Sequence, residues 1–153
     1  MFPALRPVLN KGGAGRYISR EESVERLMPV AQRHLDLLLA YDRHLGTLPD
    51  GPARVQIEAM MPYLRTEVSK MSETILSLGG TPPSGAGQMG AMAAPPSERD
   101  PIRAFMEAEK DFGGALRDEA ESVHHQERTR AILNHNAEAS DARVDLLRGI
   151  GAL

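Results

Sequence analysis

Between Ile102 and Val123 the apolar residues return at helical spacing, and a glutamate stands among them. Ile102, Phe105, Phe112, Leu116 and Val123 share one face, in steps of three and four with one skipped turn, and Glu109 occupies its centre. A helix with such a stripe buries it against other helices. An ionised carboxylate in that seam is strongly destabilising unless a cation, a metal or hydrogen-bond donors meet it there. The rest of the chain must therefore bring a partner to Glu109, or the helix must rotate until the carboxylate reaches water.

Composition narrows what can surround it. The chain of 153 residues is about one domain long and has no cysteine, which removes disulfides, thiolate metal sites and cysteine nucleophiles. Aromatic residues are 4% of the chain, and Leu, Ala, Met, Glu and Arg are plentiful, a mix that favours helices over strands. The 18 basic and 21 acidic residues are well mixed, for a net charge of −3. Without basic clusters, and with few aromatics for stacking, nothing points to a nucleic-acid partner. The longest apolar run is too short for a bilayer, and no signal-peptide core opens the chain, so the expectation is a cytoplasmic domain without a membrane partner.

Residues 1–18, with Pro3, Pro7, the Gly12-Gly13-Ala14-Gly15 run and only basic charges, are expected to form a flexible arm. The remainder, 19–153, reads as one helical domain. Ser19 with Glu22 is a capping box opening a first helix over about 19–45, whose stripe is Val24, Leu27, Met28, Ala31, Leu35, Leu38 and Leu45. Pro29 inside it predicts a kink or a late start. Gln32, His34 and Tyr41 flank this stripe, and His34 on its own reads as a surface or hydrogen-bonded core residue rather than a ligand. A short turn leads to a second helix over about 52–78, with the stripe Ile57, Met61, Leu64, Val68, Met71, Ile75 and Leu78. Glu67 lies about 60° from Leu64 on that helix, at the rim of the seam.

The segment 79–99 is rich in Gly, Ala, Pro and Ser and has no period. At about 3 Å per residue, some eighteen such residues reach roughly 50 Å, more than the roughly 40 Å of the second helix. It is read as a crossover that sets the third helix parallel to the second. Asp100-Pro101 caps that third helix, over about 100–123, in which Gly113-Gly114 predicts close approach of another backbone. A break near Val123 to Gln126 separates it from a fourth helix over about 126–150. The fourth stripe, Ile132, Leu133, Asn136, Ala139, Ser140, Arg143, Leu147 and Ile150, is polar in its middle. The fold class is all-α: a four-helix bundle with a short first connection and a long second one.

Three segments resemble the bacterioferritin and ferritin-like families. Glu109 to Ala120 is similar to the third helix of bacterioferritins, where that glutamate bridges two irons; Ile75 to Pro83 to the end of their second helix; Thr129 to Leu133 through Val144 to Leu147 to their fourth. The similarity covers about residues 24–150 and implies an up-down-down-up bundle with a di-iron centre. In that family helices two and four each give a Glu-x-x-His pair, and helices one and three a single Glu. Here the second-helix pair falls at Leu64 and Glu67, the fourth at Ser140 and Arg143, and the first helix has no acid between Val30 and Gln32. Only Glu109 remains of the six ligands.

The expectation that follows is an ion-paired cluster of Glu67, Glu109 and Arg143 where relatives hold metal, since a guanidinium accepts two carboxylates and repels Fe²⁺. The domain is then a structural or interaction protein without a cofactor, rather than an enzyme. The alternative is an iron-handling or metal-binding protein with a rebuilt carboxylate site of Glu67, Glu109, Glu138 and Asp141. A slip of one turn would turn the last two inward, and such oxygen ligands suit manganese better than a redox iron pair. His124, His125 and His135 are a weaker surface metal set, because adjacent histidines point about 100° apart on a helix. Met60, Met61, Met71, Met89 and Met92 read as core filler and loop. Exposed Leu37 and Leu39 would suit a homodimer.

Overall fold

A computed structural model describes residues 20–85, 100–123 and 126–151. Among these the elements are four helices and no strand: α1 (Arg20–Leu45), α2 (Pro52–Ser77), α3 (Pro101–Ser122) and α4 (Glu127–Gly151). They pack together, α3 against α4 most extensively, α1 against both α2 and α3, and α2 against α4 only sparsely. The arm over 1–18, the Ser19 cap and the crossover from 86 to 99 lie outside the described residues.

Local chemistry sets the helix ends. The Asp100 side chain accepts from the Arg103 N–H at 3.1 Å and Pro101 fills the first turn, so α3 starts where its cap residues dictate. At the end of α2 the Gly80 N–H donates to the Ile75 carbonyl and the Gly79 N–H to that of Leu76, both at 2.9 Å, with Gly79 at φ 89°. This double closure needs a left-handed residue, which glycine supplies without a steric penalty. Pro29 and Pro62 both lie inside continuous helices, so Pro29 does not mark a late start. Both are on exposed faces, where water can take the carbonyls that proline leaves unpaired.

The buried faces of α2 and α3 follow the sequence stripes, with Ile57, Met61, Leu64, Met71 and Ile75 on one and Phe105, Glu109, Phe112 and Leu116 on the other. On α1 the expected stripe is corrected. The helix buries Leu27, Val30, Ala31, His34, Leu37, Tyr41 and His44, whereas Val24, Met28, Leu35, Leu38 and Leu45 are only half-buried. The face is turned by about one residue, roughly 100°. The run Leu37-Leu38-Leu39 offers apolar side chains in either register; the observed one sends His34 and Tyr41 inward. Leu37 is therefore 5% exposed and Leu39 half-buried, which removes the basis given for a homodimer.

The glycine pair in α3 is also corrected. A Cβ on Gly113 would meet the Ser140 side chain at 3.4 Å, not a backbone, and one on Gly114 would meet nothing within 4 Å. The tight glycine is Gly80, where a Cβ would fall 2.7 Å from Val24 Cγ1 and 2.9 Å from Ile75 Cγ2. No helix among the described residues is long and apolar enough to cross a membrane.

Candidate functional site

At mid-height the apolar core is interrupted by a polar cluster to which all four helices contribute. Its centre is Glu109, fully buried on α3. Glu109 Oε2 accepts from Tyr41 Oη of α1 and from Arg143 Nε of α4, both at 2.5 Å. Its Oε1 accepts from Ser140 Oγ at 2.7 Å and Arg143 Nη2 at 3.1 Å. Four donors on two carboxylate oxygens satisfy the charge without water, and two of them form the forked pair that a guanidinium alone can offer.

Arg143 also reaches the other way, Nη1 donating to Glu67 Oε1 of α2 at 2.9 Å. One cation thus joins two carboxylates from different helices. Burial works against the Arg143 charge, but Glu109 and Glu67 outweigh it and hold the guanidinium firmly protonated. For Glu67, half-buried at the rim, burial pushes the carboxyl up; the His34 ring and Arg143 pull it down further, and the balance lies below the ordinary value. Burial and the neighbouring Glu109 charge push the Tyr41 phenol far up, so it remains a donor at any physiological pH.

His34 is the unusual member. Its ring is fully buried, stacked on Phe112 with centroids 4.8 Å apart, and Nε2 stands 3.7 Å from Glu67 Oε1, beyond hydrogen-bond distance. Neither ring nitrogen has a hydrogen-bond partner among the described residues. Burial lowers its pKa, favouring neutral imidazole despite the nearby carboxylates. Tyr41 is held in place by stacking on Phe105, at 4.5 Å between centroids.

The residues singled out from sequence are divided between this cluster and the surface. Glu67, Glu109 and Arg143 meet, with Ser140 beside them. Glu138 and Asp141 lie on the exposed side of α4, where Asp141 is engaged by Arg117 of α3; neither joins Glu67 and Glu109. Among the described residues no group of three or more His, Asp or Glu side chains is arranged to hold a metal ion. His135 is exposed on α4, and His124 and His125 lie outside the described residues. Met60, Met61 and Met71 are core residues, while Met89 and Met92 are outside the described residues.

Sequence reading missed the roles of Tyr41 and His34. Their signal is a spacing of seven, with Leu37 between and His44 following, which puts four residues on one helical face. Chemically the cluster is a closed circuit. Its central carboxylate is fully bonded, its phenol stays protonated, and only the Glu67 edge reaches the surface. The chain matches no family model, and a search of curated proteins finds no match.

Proposed function

We propose that this chain is a ferritin-like four-helix bundle whose metal centre is replaced by the Glu67–Arg143–Glu109 cluster, and that it serves as a structural or interaction protein in the cytoplasm rather than as an iron enzyme. The observation that carries this reading is the position of Arg143, whose guanidinium bonds both carboxylates at once. A fixed cation between two acids supplies the charge that a metal would otherwise supply, and it raises the electrostatic barrier to a second cation. The remaining donors do not fit a di-iron pair, since Leu64, Ser140 and Arg143 stand where that family has metal ligands.

Contacts along the helices support the up-down-down-up order. Early in α1, Val24 neighbours Gly80 just past α2 and Arg26 pairs with Glu119 late in α3. Late in α1, Asp42 pairs with Arg65 midway along α2, and Tyr41 stacks on Phe105 near the start of α3. That pattern supports a parallel α2 and α3 joined by a connection along the bundle, the role read for 79–99.

A second reading, metal binding at a remodelled carboxylate-rich site, draws support from one feature, the buried imidazole of His34 beside Glu67, whose ring nitrogens have no hydrogen-bond partner among the described residues. Elemental analysis of protein from cells grown with added iron and manganese decides between the two, together with a ferroxidase assay. The first reading expects sub-stoichiometric metal and no saturable iron oxidation. Stoichiometric iron or manganese that is lost in Glu109→Gln or Glu67→Gln would overturn it in favour of the second.

A further inference from the structure

Of the helix pairs that pack side by side, α2 and α4 touch least, and a cleft of about 600 Å³ opens between them. That volume lies within the range of small-molecule sites. It extends from Glu67 and Asn136 at mid-height to Ser77 and Arg128 near the helix ends, over a floor that includes buried Met71 and half-buried Ile132.

Its charges are uneven. Most arginines of the described surface are paired: Arg26, Arg54, Arg65, Arg103, Arg117 and Arg148 each have a carboxylate partner. Lys70 and Arg128, both exposed on the cleft, have no ion-pair partner among the described residues, and face one carboxylate of the rim, Glu73. Glu67, at the inner end, is already neutralised by Arg143 on its buried side. Arg128 sits in the first turn of α4, where the unsatisfied N–H groups add positive potential. Glu127, in the same turn, is not among the residues lining the cleft.

We propose that the α2–α4 cleft binds an amphiphilic monocarboxylate, its apolar chain along Met71 and Ile132 and its carboxylate at Arg128. The orientation follows from charge. The inner end is walled by Glu67, whose charge Arg143 already meets and which gives an anion no donor, and the outer end offers the Arg128 guanidinium, without an ion-pair partner among the described residues, in the first turn of α4. The site goes beyond the proposed function and is independent of it, since a bundle with or without a metal centre would have the same cleft.

The test is calorimetric titration of the full chain with decanoate and decyltrimethylammonium, each below its micelle concentration, and with decanol below its solubility limit. Decanoate is expected to bind one per chain, tighter than decanol and much tighter than the cation. Arg128→Glu is expected to weaken decanoate about tenfold, a rim ion pair reversed, while leaving decanol within about twofold. Ala131→Phe, at an exposed position on the cleft wall, is expected to abolish binding of all three with an unchanged circular-dichroism melt. Thr74→Phe repeats that block from the opposite wall if Ala131→Phe does not fold. The proposal is overturned by any of four results: no decanoate binding at about 1 mM, equal affinity for the cationic amphiphile, decanoate affinity unmoved by Arg128→Glu, or binding retained in a folded blocking variant.

Discussion

Arg143 holds together charges that would otherwise be buried alone. Replacing it with Met leaves Glu109 fully buried without its counter-ion, and removal of one partner of a buried pair typically destabilises by about 3–5 kcal/mol. Urea denaturation of Arg143→Met is expected to show a loss of that size, a large part of a domain's total of about 5–15 kcal/mol. Arg143→Lys is expected to recover only part of it, because an ammonium cannot bond Glu109 through a fork and Glu67 at the same time. His34 gives the cluster its acid sensitivity. Its folded pKa lies below the ordinary 6.5, so the unfolded chain takes up the proton first, and stability falls as the pH drops below that value. Glu67 acts in a lower window: its depressed pKa contributes stability above the ordinary 4.5 that is lost as the pH falls through the folded value. Denaturation midpoints of His34→Phe are expected to lose the slope just below pH 6.5 and to keep the one at lower pH. The need of Glu109 for a partner is legible in the sequence, because a carboxylate inside an apolar stripe cannot stand alone. Tyr41 as a donor is not, since a flanking tyrosine becomes an inward one only when the helix turns by one residue.

At the scale of elements, helix existence is legible from periodicity and helix ends from capping chemistry, as at Asp100 and Gly79. Rotation is the weak point. Three consecutive leucines in α1 satisfy two faces almost equally, and the choice between them is made by long-range contacts of His34 and Tyr41 that no local pattern contains. Glycines show the same division. Gly113-Gly114 reads as a close-contact pair, yet the crowded glycine is Gly80, past the end of α2. Gly80→Ala puts a methyl against Val24 and Ile75, stiff β-branched neighbours, and is expected to destabilise by about 1–3 kcal/mol. Gly114→Ala meets nothing and gains helix propensity, so it is expected to stabilise by up to about 1 kcal/mol. Thermal melts of the two variants should shift in opposite directions, by about 2–4 °C per kcal/mol for a chain of this size.

For the whole molecule, the cluster has a consequence beyond the stability of any one contact. Four amphipathic helices with leucine- and methionine-rich seams have many nearly equivalent ways to fit, since apolar side chains are attracted without regard to direction. Hydrogen bonds discriminate. Tyr41, Glu67, Glu109, Ser140 and Arg143 close their circuit only when all four helices have the observed vertical offset and rotation. The polar centre thus behaves as an alignment key, which rejects the near-degenerate packings that hydrophobicity alone would admit. Replacing the keyed charges together, as Glu67→Gln, Glu109→Leu and Arg143→Met, is then expected to leave melting temperature equal or higher while the amide NMR spectrum loses dispersion and gains peaks. A single sharp peak set in that variant would mean that the apolar seams alone choose the fit. Lost dispersion instead makes the polar middle the source of uniqueness: a bundle of interchangeable seams acquires one arrangement because an arginine has only one place to go.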